Sequence, residues 1–131
     1  MAEFPKNLKY SRDHEWVSFD GCNATIGITS FACEQLGDIV YVDLPNSNGE
    51  FIKAGQPIGA VESTKAASDV FCPVSGKIIE TNSSLSDNPE ILNQDPYSQG
   101  WLARLEISDE SELQNLMDYE QYQQHLHSVE H

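Results

Sequence analysis

The sequence predicts a mainly β fold, a sandwich or barrel of many short strands with one or two helices near the C-terminal end. Two observations predict it. Residues 51–81 are short apolar runs punctuated by Gly, Pro and Ser, and segments near 15–29 and 101–107 alternate apolar with polar residues. The chain has 131 residues, 39% of them hydrophobic, enough for one core and too apolar for a disordered acidic chain.

Residues 15–19 and 23–29 form a hairpin, with Val17 and Phe19 on one face of the first strand and Ala24, Ile26 and Ile28 on one face of the second. Asp20-Gly21 between them suits a type I′ turn, both of whose central residues take φ > 0. Residues 30–36 read as a short helix capped by Thr29 or Ser30 and stopped at Gly37. Residues 39–44 read as a mostly buried strand ended by Pro45 and the loop 46–49. Strands follow at 57–61, 70–74 and 77–81, with turns at 53–56 and Ser75-Gly76. In the polar stretch 82–99, Ile91-Leu92 is expected to pin the loop to the core. After the alternating strand 101–107, Asp109 and Glu112 resemble a capping box, and Leu113, Leu116 and Met117 share a helical face. The tail places Tyr119, Tyr122, Leu126 and Val129 at loose helical spacing.

Seven basic and 21 acidic residues leave a formal charge of −14. Such a balance excludes a phosphate-backbone footprint and disfavours anionic membrane surfaces. No apolar run reaches membrane-spanning length, and residues 1–10 lack a signal-peptide core. Cys22, Cys33 and Cys72 have no metal-type spacing and read as packing residues. His125, His127 and His131 have no matching ligands. A reduced, cytoplasmic protein is expected.

The chemistry concentrates in residues 59–70. Lys65 lies midway between two strand-like runs, among small residues. A lysine on a turn between packed strands presents its amine to a modifying enzyme while the sheet fixes its direction. Nucleophilic chemistry would need burial or neighbouring cations, whereas Glu62 and Asp69 flank this lysine. Lys65 therefore reads as an attachment point; by itself the segment also suits an ordinary turn capped by Ser63 with a solvated lysine.

The surrounding motifs narrow that choice. YSRDHEW at 10–16, GIT at 27–29, LGDIVYVDLP at 36–45, AVESTKAASDVFCPVSGKIIETN at 60–82, NPEILNQDPYSQGW at 88–101 and ELQNLM at 112–117 occur in order. Together they closely resemble the lipoyl-carrying H proteins of the glycine cleavage system, over about residues 8–122. The resemblance implies a lipoyl/biotinyl-type β-sandwich (a barrel-sandwich hybrid) with short peripheral helices and a C-terminal helix. It implies one lipoyl-carrier domain over 1–131, helical from about 109. Lys65 matches the lysine acylated with lipoic acid, the implied cofactor. Glu62 and Gly76 match positions associated with recognition by lipoylating enzymes, and Gly76 is expected to permit a tight turn. Glu15 and Asp69 match acidic groups near a cleft into which the loaded arm folds; Asp13 stands where relatives can carry Ser. Thr64 departs from the family's valine but stays β-branched.

The implied partners are the lipoylating enzymes, glycine decarboxylase (P protein), aminomethyltransferase (T protein) and dihydrolipoyl dehydrogenase (L protein). In that system the carrier catalyses no step: it shuttles the aminomethyl group of glycine on its arm, and a monomer is expected. The alternatives are few. A biotinyl carrier has methionines around its lysine, where Thr64 and Ala66 stand here. Lipoyl domains of 2-oxo acid dehydrogenases are shorter and lack HEW and PYSQGW. An H-like relay or scaffold serving other lipoyl-dependent enzymes keeps the same lysine.

Overall fold

The computed structural model describes residues 7–21, 23–44 and 49–129. Among them nine strands form two antiparallel sheets. Six strands run in the order β1 (Lys9–Tyr10), β2 (Glu15–Asp20), β3 (Asn23–Ile28), β9 (Ala103–Ile107), β8 (Gly76–Thr81) and β5 (Phe51–Ile52). The other three are β4 (Ile39–Asp43), β6 (Pro57–Ser63) and β7 (Ala67–Phe71), with β6 in the centre. Inward residues of both sheets share one core: Val17, Ala24, Ile26, Ile78 and Leu105 from the first, Val42, Ile58, Val61 and Val70 from the second. Each of the valine, isoleucine and leucine side chains among them stabilises the fold by roughly 1.5–3 kcal/mol through burial. The mainly β sandwich expected from the sequence is the architecture found.

Helix α1 (Ser30–Leu36) starts and stops as its sequence predicts. Thr29 is the N-cap, its hydroxyl accepting the Ala32 amide, and Gly37 ends the helix at φ 87°, its N–H donating to Cys33. Two one-turn helices, α2 (Ser84–Asp87) and α3 (Ile91–Gln94), lie within the polar stretch, with Leu85 and Leu92 fully buried. Helix α4 (Tyr119–Val129) docks through Tyr122 and Leu126 onto a second cluster containing Leu8, Tyr10 and Trp16. No helix of the described residues is long and apolar enough to cross a membrane.

Several local expectations are corrected. The β2–β3 register closes on Asp20↔Asn23, so Asp20 is a paired strand residue and not a turn residue, and Gly21 follows it at φ 63°. Cys22 lies outside the described residues. Strand β4 is half exposed: Ile39 and Val42 face the core, while Val40 and Tyr41 are 53% and 51% exposed. A register shift between Ile39 and Tyr41 interrupts its pairing with β6. Strand β7 begins at Ala67, three residues before the expected start, because the hairpin around Lys65 is tight. Gly76 is a buried strand residue, paired with Ile52 and Ile107, and not a turn glycine. The Glu112 carboxylate takes the Ser75 amide and hydroxyl at 2.7 and 2.8 Å, so it ties β8 to residues 110–115, which form a 3-10 helix. Asp109 alone caps that helix, through the Ser111 amide.

Candidate functional site

Lys65 sits at the tip of the β6–β7 hairpin, whose last ladder pair is Glu62↔Ala67. Ser63 organises the residues between. Its backbone N–H donates to the Ala66 carbonyl at 2.7 Å, while its hydroxyl oxygen accepts the amides of Lys65 and Ala66 at 3.3 and 3.0 Å. A serine that takes its neighbours' amides in this way satisfies a turn backbone locally. The Thr64 amide donates to the Asp38 carbonyl at 3.1 Å, bracing the tip against the segment entering β4. Thr64, Lys65 and Ala66 are all exposed. The lysine stem lies beside Gly37: a Cβ there would stand 3.4 Å from Lys65 Cε. Gly37 and Asp38 also line a cavity of about 440 Å3 shared with Cys33, Asn93 and Tyr97.

Glu62 is exposed on the outward face of the three-stranded sheet, across from Tyr41 on β4 and Ala67 on β7. The next outward row is Asp43, Ala60 and Asp69. Asp69 borders a cavity of about 310 Å3 with Asp43, Leu44 and Gly59. Gly76 is placed by close packing, since a Cβ there would fall 2.4 Å from the Glu106 carbonyl oxygen on β9.

Glu15 lies elsewhere, at the start of β2. It is 2% exposed and lines a cavity of about 320 Å3 with Tyr10, Ser11, Phe71, Cys72 and Met117. Its carboxyl accepts the Ser11 hydroxyl and, at 3.4 Å, the Phe71 amide. Burial pushes its pKa up to about 7, with the Ser11 hydrogen bond pulling the other way and Asp13 adding to the rise. Glu15 and Asp69 border different cavities. Asp13 borders the Glu15 cavity. The Cys72 thiol also borders it, pushed up to about 12 by burial and donating to the Val74 carbonyl, so it stays an unreactive thiol.

Residue-by-residue reading missed two partners of Glu15: the Ser11 hydroxyl and the Phe71 amide. Ser11 stands four residues before Glu15 in YSRDHEW, a spacing that signals nothing until the chain turns between them. Residues 11–15 make that turn, the His14 amide donating to Ser11 and the Ser11 amide to Glu15.

Comparison with known proteins adds the lineage. Residues 8–129 match the family model described as glycine cleavage H-protein. The chain is 50% identical over 126 residues to a glycine cleavage system H protein of Carboxydothermus hydrogenoformans, covering 96% of each chain. It is 52% identical over 119 residues to that of Thermotoga maritima, covering 91% of this chain and 95% of the relative. The crystal structure of a glycine cleavage system H protein from Mycobacterium marinum superposes with a TM-score of 0.80 at 38% identity. That match covers 91% of this chain and 95% of the other.

Proposed function

The chain belongs to the glycine cleavage H-protein family, and from that premise we propose how its residues perform the work. It is a lipoyl-carrier component of the glycine cleavage system. Lys65 is its attachment residue, and the observation that carries this reading is the exposed tip held by Ser63 and braced on Asp38. An amine on such a tip reaches an enzyme's active site without unfolding either strand, and alanines at 66 and 67 leave room for that enzyme. Bound there, a lipoyl group supplies a redox-active dithiolane able to carry the aminomethyl group of glycine from one enzyme to the next.

The chain's own residues bind, present and shelter the arm. Glu62, on the outward face next to the tip, is a contact for the lipoylating enzyme. Gly76 serves the same recognition by letting β8 and β9 close, which sets the sheet behind the hairpin. Glu15 shelters the loaded arm: a lone buried carboxylate is disfavoured, and an ammonium entering its cavity repays that cost. Phe71 lies four residues beyond Ala67, about 13 Å down β7, a span that a lysine stem with a lipoyl chain covers. Asp69 is a second acidic group near the path of that arm.

The partners are the lipoylating enzymes and the P, T and L proteins. The carrier itself catalyses no step, works in the cytoplasm as a monomer, and forms one domain over 1–131 with its helical extension from about 109. Packing of Tyr122 against Tyr10 supports counting that extension with the rest. The test is in vitro lipoylation of the full chain: one acyl group per chain for the parent, none for Lys65→Arg. Full acylation of Lys65→Arg would overturn the assignment.

A further inference from the structure

Tyr122 belongs to α4, far in sequence from Glu15, yet it grips the turn that Glu15 ends. Its phenol oxygen lies 2.9 Å from His14 Nδ1 and 2.7 Å from Thr29 Oγ1. The single phenol proton serves one of these neighbours, and the other donates to the phenol oxygen. Among the described residues His14 is the one non-glycine residue in the left-handed region, at φ 71°. Such a conformation is strained and persists where its surroundings over-determine it. Here they do: the Thr29 amide donates to the His14 carbonyl at 2.9 Å, and the His14 ring packs against Phe31 at 4.7 Å and His125 at 6.1 Å.

The other end of the turn is held from the same side. Tyr10 exchanges backbone hydrogen bonds with Met117 at 2.7 and 2.8 Å, and its ring stacks on Tyr122 at 4.7 Å. The C-terminal segment thus clamps residues 10–14 at both ends, and that short turn carries Ser11 and delivers Glu15 into its cavity. We propose that Tyr122 is a positioning residue of the arm-sheltering site, holding the left-handed turn at His14 so that Glu15 stays sealed in the cavity. The function of that seal rests on the reading of Glu15 given above; the positioning itself does not.

The groups facing Glu15 are Tyr10 on β1, Arg12 and Asp13 on the turn, Cys72 after β7, and Tyr122. None of these charges changes when a tyrosine in the neutral form becomes phenylalanine. A loosened turn therefore acts on Glu15 through hydration, which moves its titration down towards that of an ordinary carboxyl.

The experiment follows the Glu15 carboxyl by carbon NMR in the full chain carrying lipoyl-lysine, for the parent, Tyr122→Phe and His14→Asn. Phenylalanine preserves the ring stack, and asparagine tolerates the left-handed backbone but is too short to reach Tyr122. Both variants are expected to lower the Glu15 midpoint by about one pH unit or more and to shorten the lifetime of the loaded form several-fold. A midpoint within about 0.3 of the parent in both would overturn the positioning role. Glu15→Gln separates the two readings. If it leaves the loaded lifetime unchanged while Tyr122→Phe still moves the midpoint, the sheltering role of Glu15 fails and the clamp stands.

Discussion

At the scale of single residues, Glu15 joins structure to chemistry through its proton. Its folded pKa, about 7, lies above the ordinary 4.5 because burial penalises the charged form. Between those values the folded chain holds a proton that the unfolded chain has released, so stability falls as pH rises from about 4.5 through 7. Removing the charge should remove that loss. Glu15→Gln is expected to be more stable than the parent above pH 7, by up to about 3 kcal/mol, with the difference closing below pH 5. Denaturant melts at pH 5 and 8 check it, and an equal difference at both would contradict the buried-carboxyl account. In the proposed role, Glu15→Ala leaves lipoylation intact and shortens the lifetime of the aminomethyl-loaded form. Gly76 makes a different demand. A methyl there meets the Glu106 carbonyl oxygen at 2.4 Å, so Gly76→Ala should cost about 1–3 kcal/mol by forcing β8 and β9 apart. An unchanged melting temperature would contradict the close packing.

At the scale of elements, the Lys65 hairpin is held at its tip by one side chain. Ser63→Ala removes the acceptor for two amides, and on an exposed turn this should cost about 1 kcal/mol of stability or less. Its effect on lipoylation should be larger, a several-fold fall in kcat/KM with the melting temperature nearly unchanged, because the amine's direction is lost before the fold is. Equal lipoylation by Ser63→Ala and parent would mean that the turn need not be rigid. Elements with local chemistry were readable in sequence: α1, bounded by Thr29 and Gly37, and the β2–β3 hairpin. The hairpin loop shifted by one residue because strand pairing extends to Asp20↔Asn23 and leaves one glycine, Gly21, to take positive φ. Strand β4 misled because periodicity cannot tell two buried faces from one, and Val40 and Tyr41 are apolar yet outward.

At the scale of the molecule, the acidic balance has a direction. Strands β4, β6 and β7 carry Asp43, Glu62 and Asp69 and no Lys or Arg, and the proposed acylation of Lys65 would remove one further positive charge. The face beside Lys65 therefore suits basic surfaces on a partner. Association of the lipoylated chain with glycine decarboxylase should weaken several-fold between about 0.05 and 0.3 M salt, as screening shortens the Debye length; affinity independent of salt would contradict it. Long-range contacts were the part hidden from the sequence. Nothing in YSRDHEW signals Tyr122, and nothing around Glu112 signals Ser75, since both pairings exist only once the C-terminal segment folds back across the sheets. Motif order singled out Lys65 and Glu15 as candidates, and the hydrogen bonds that hold Glu15 were not legible. The proposed carrier role depends on Lys65, and intact mass with peptide mapping after incubation with a lipoylating enzyme tests it most directly. One lipoyl group confined to the peptide containing Lys65 is the predicted result; an unmodified Lys65, or modification at another lysine, would contradict it.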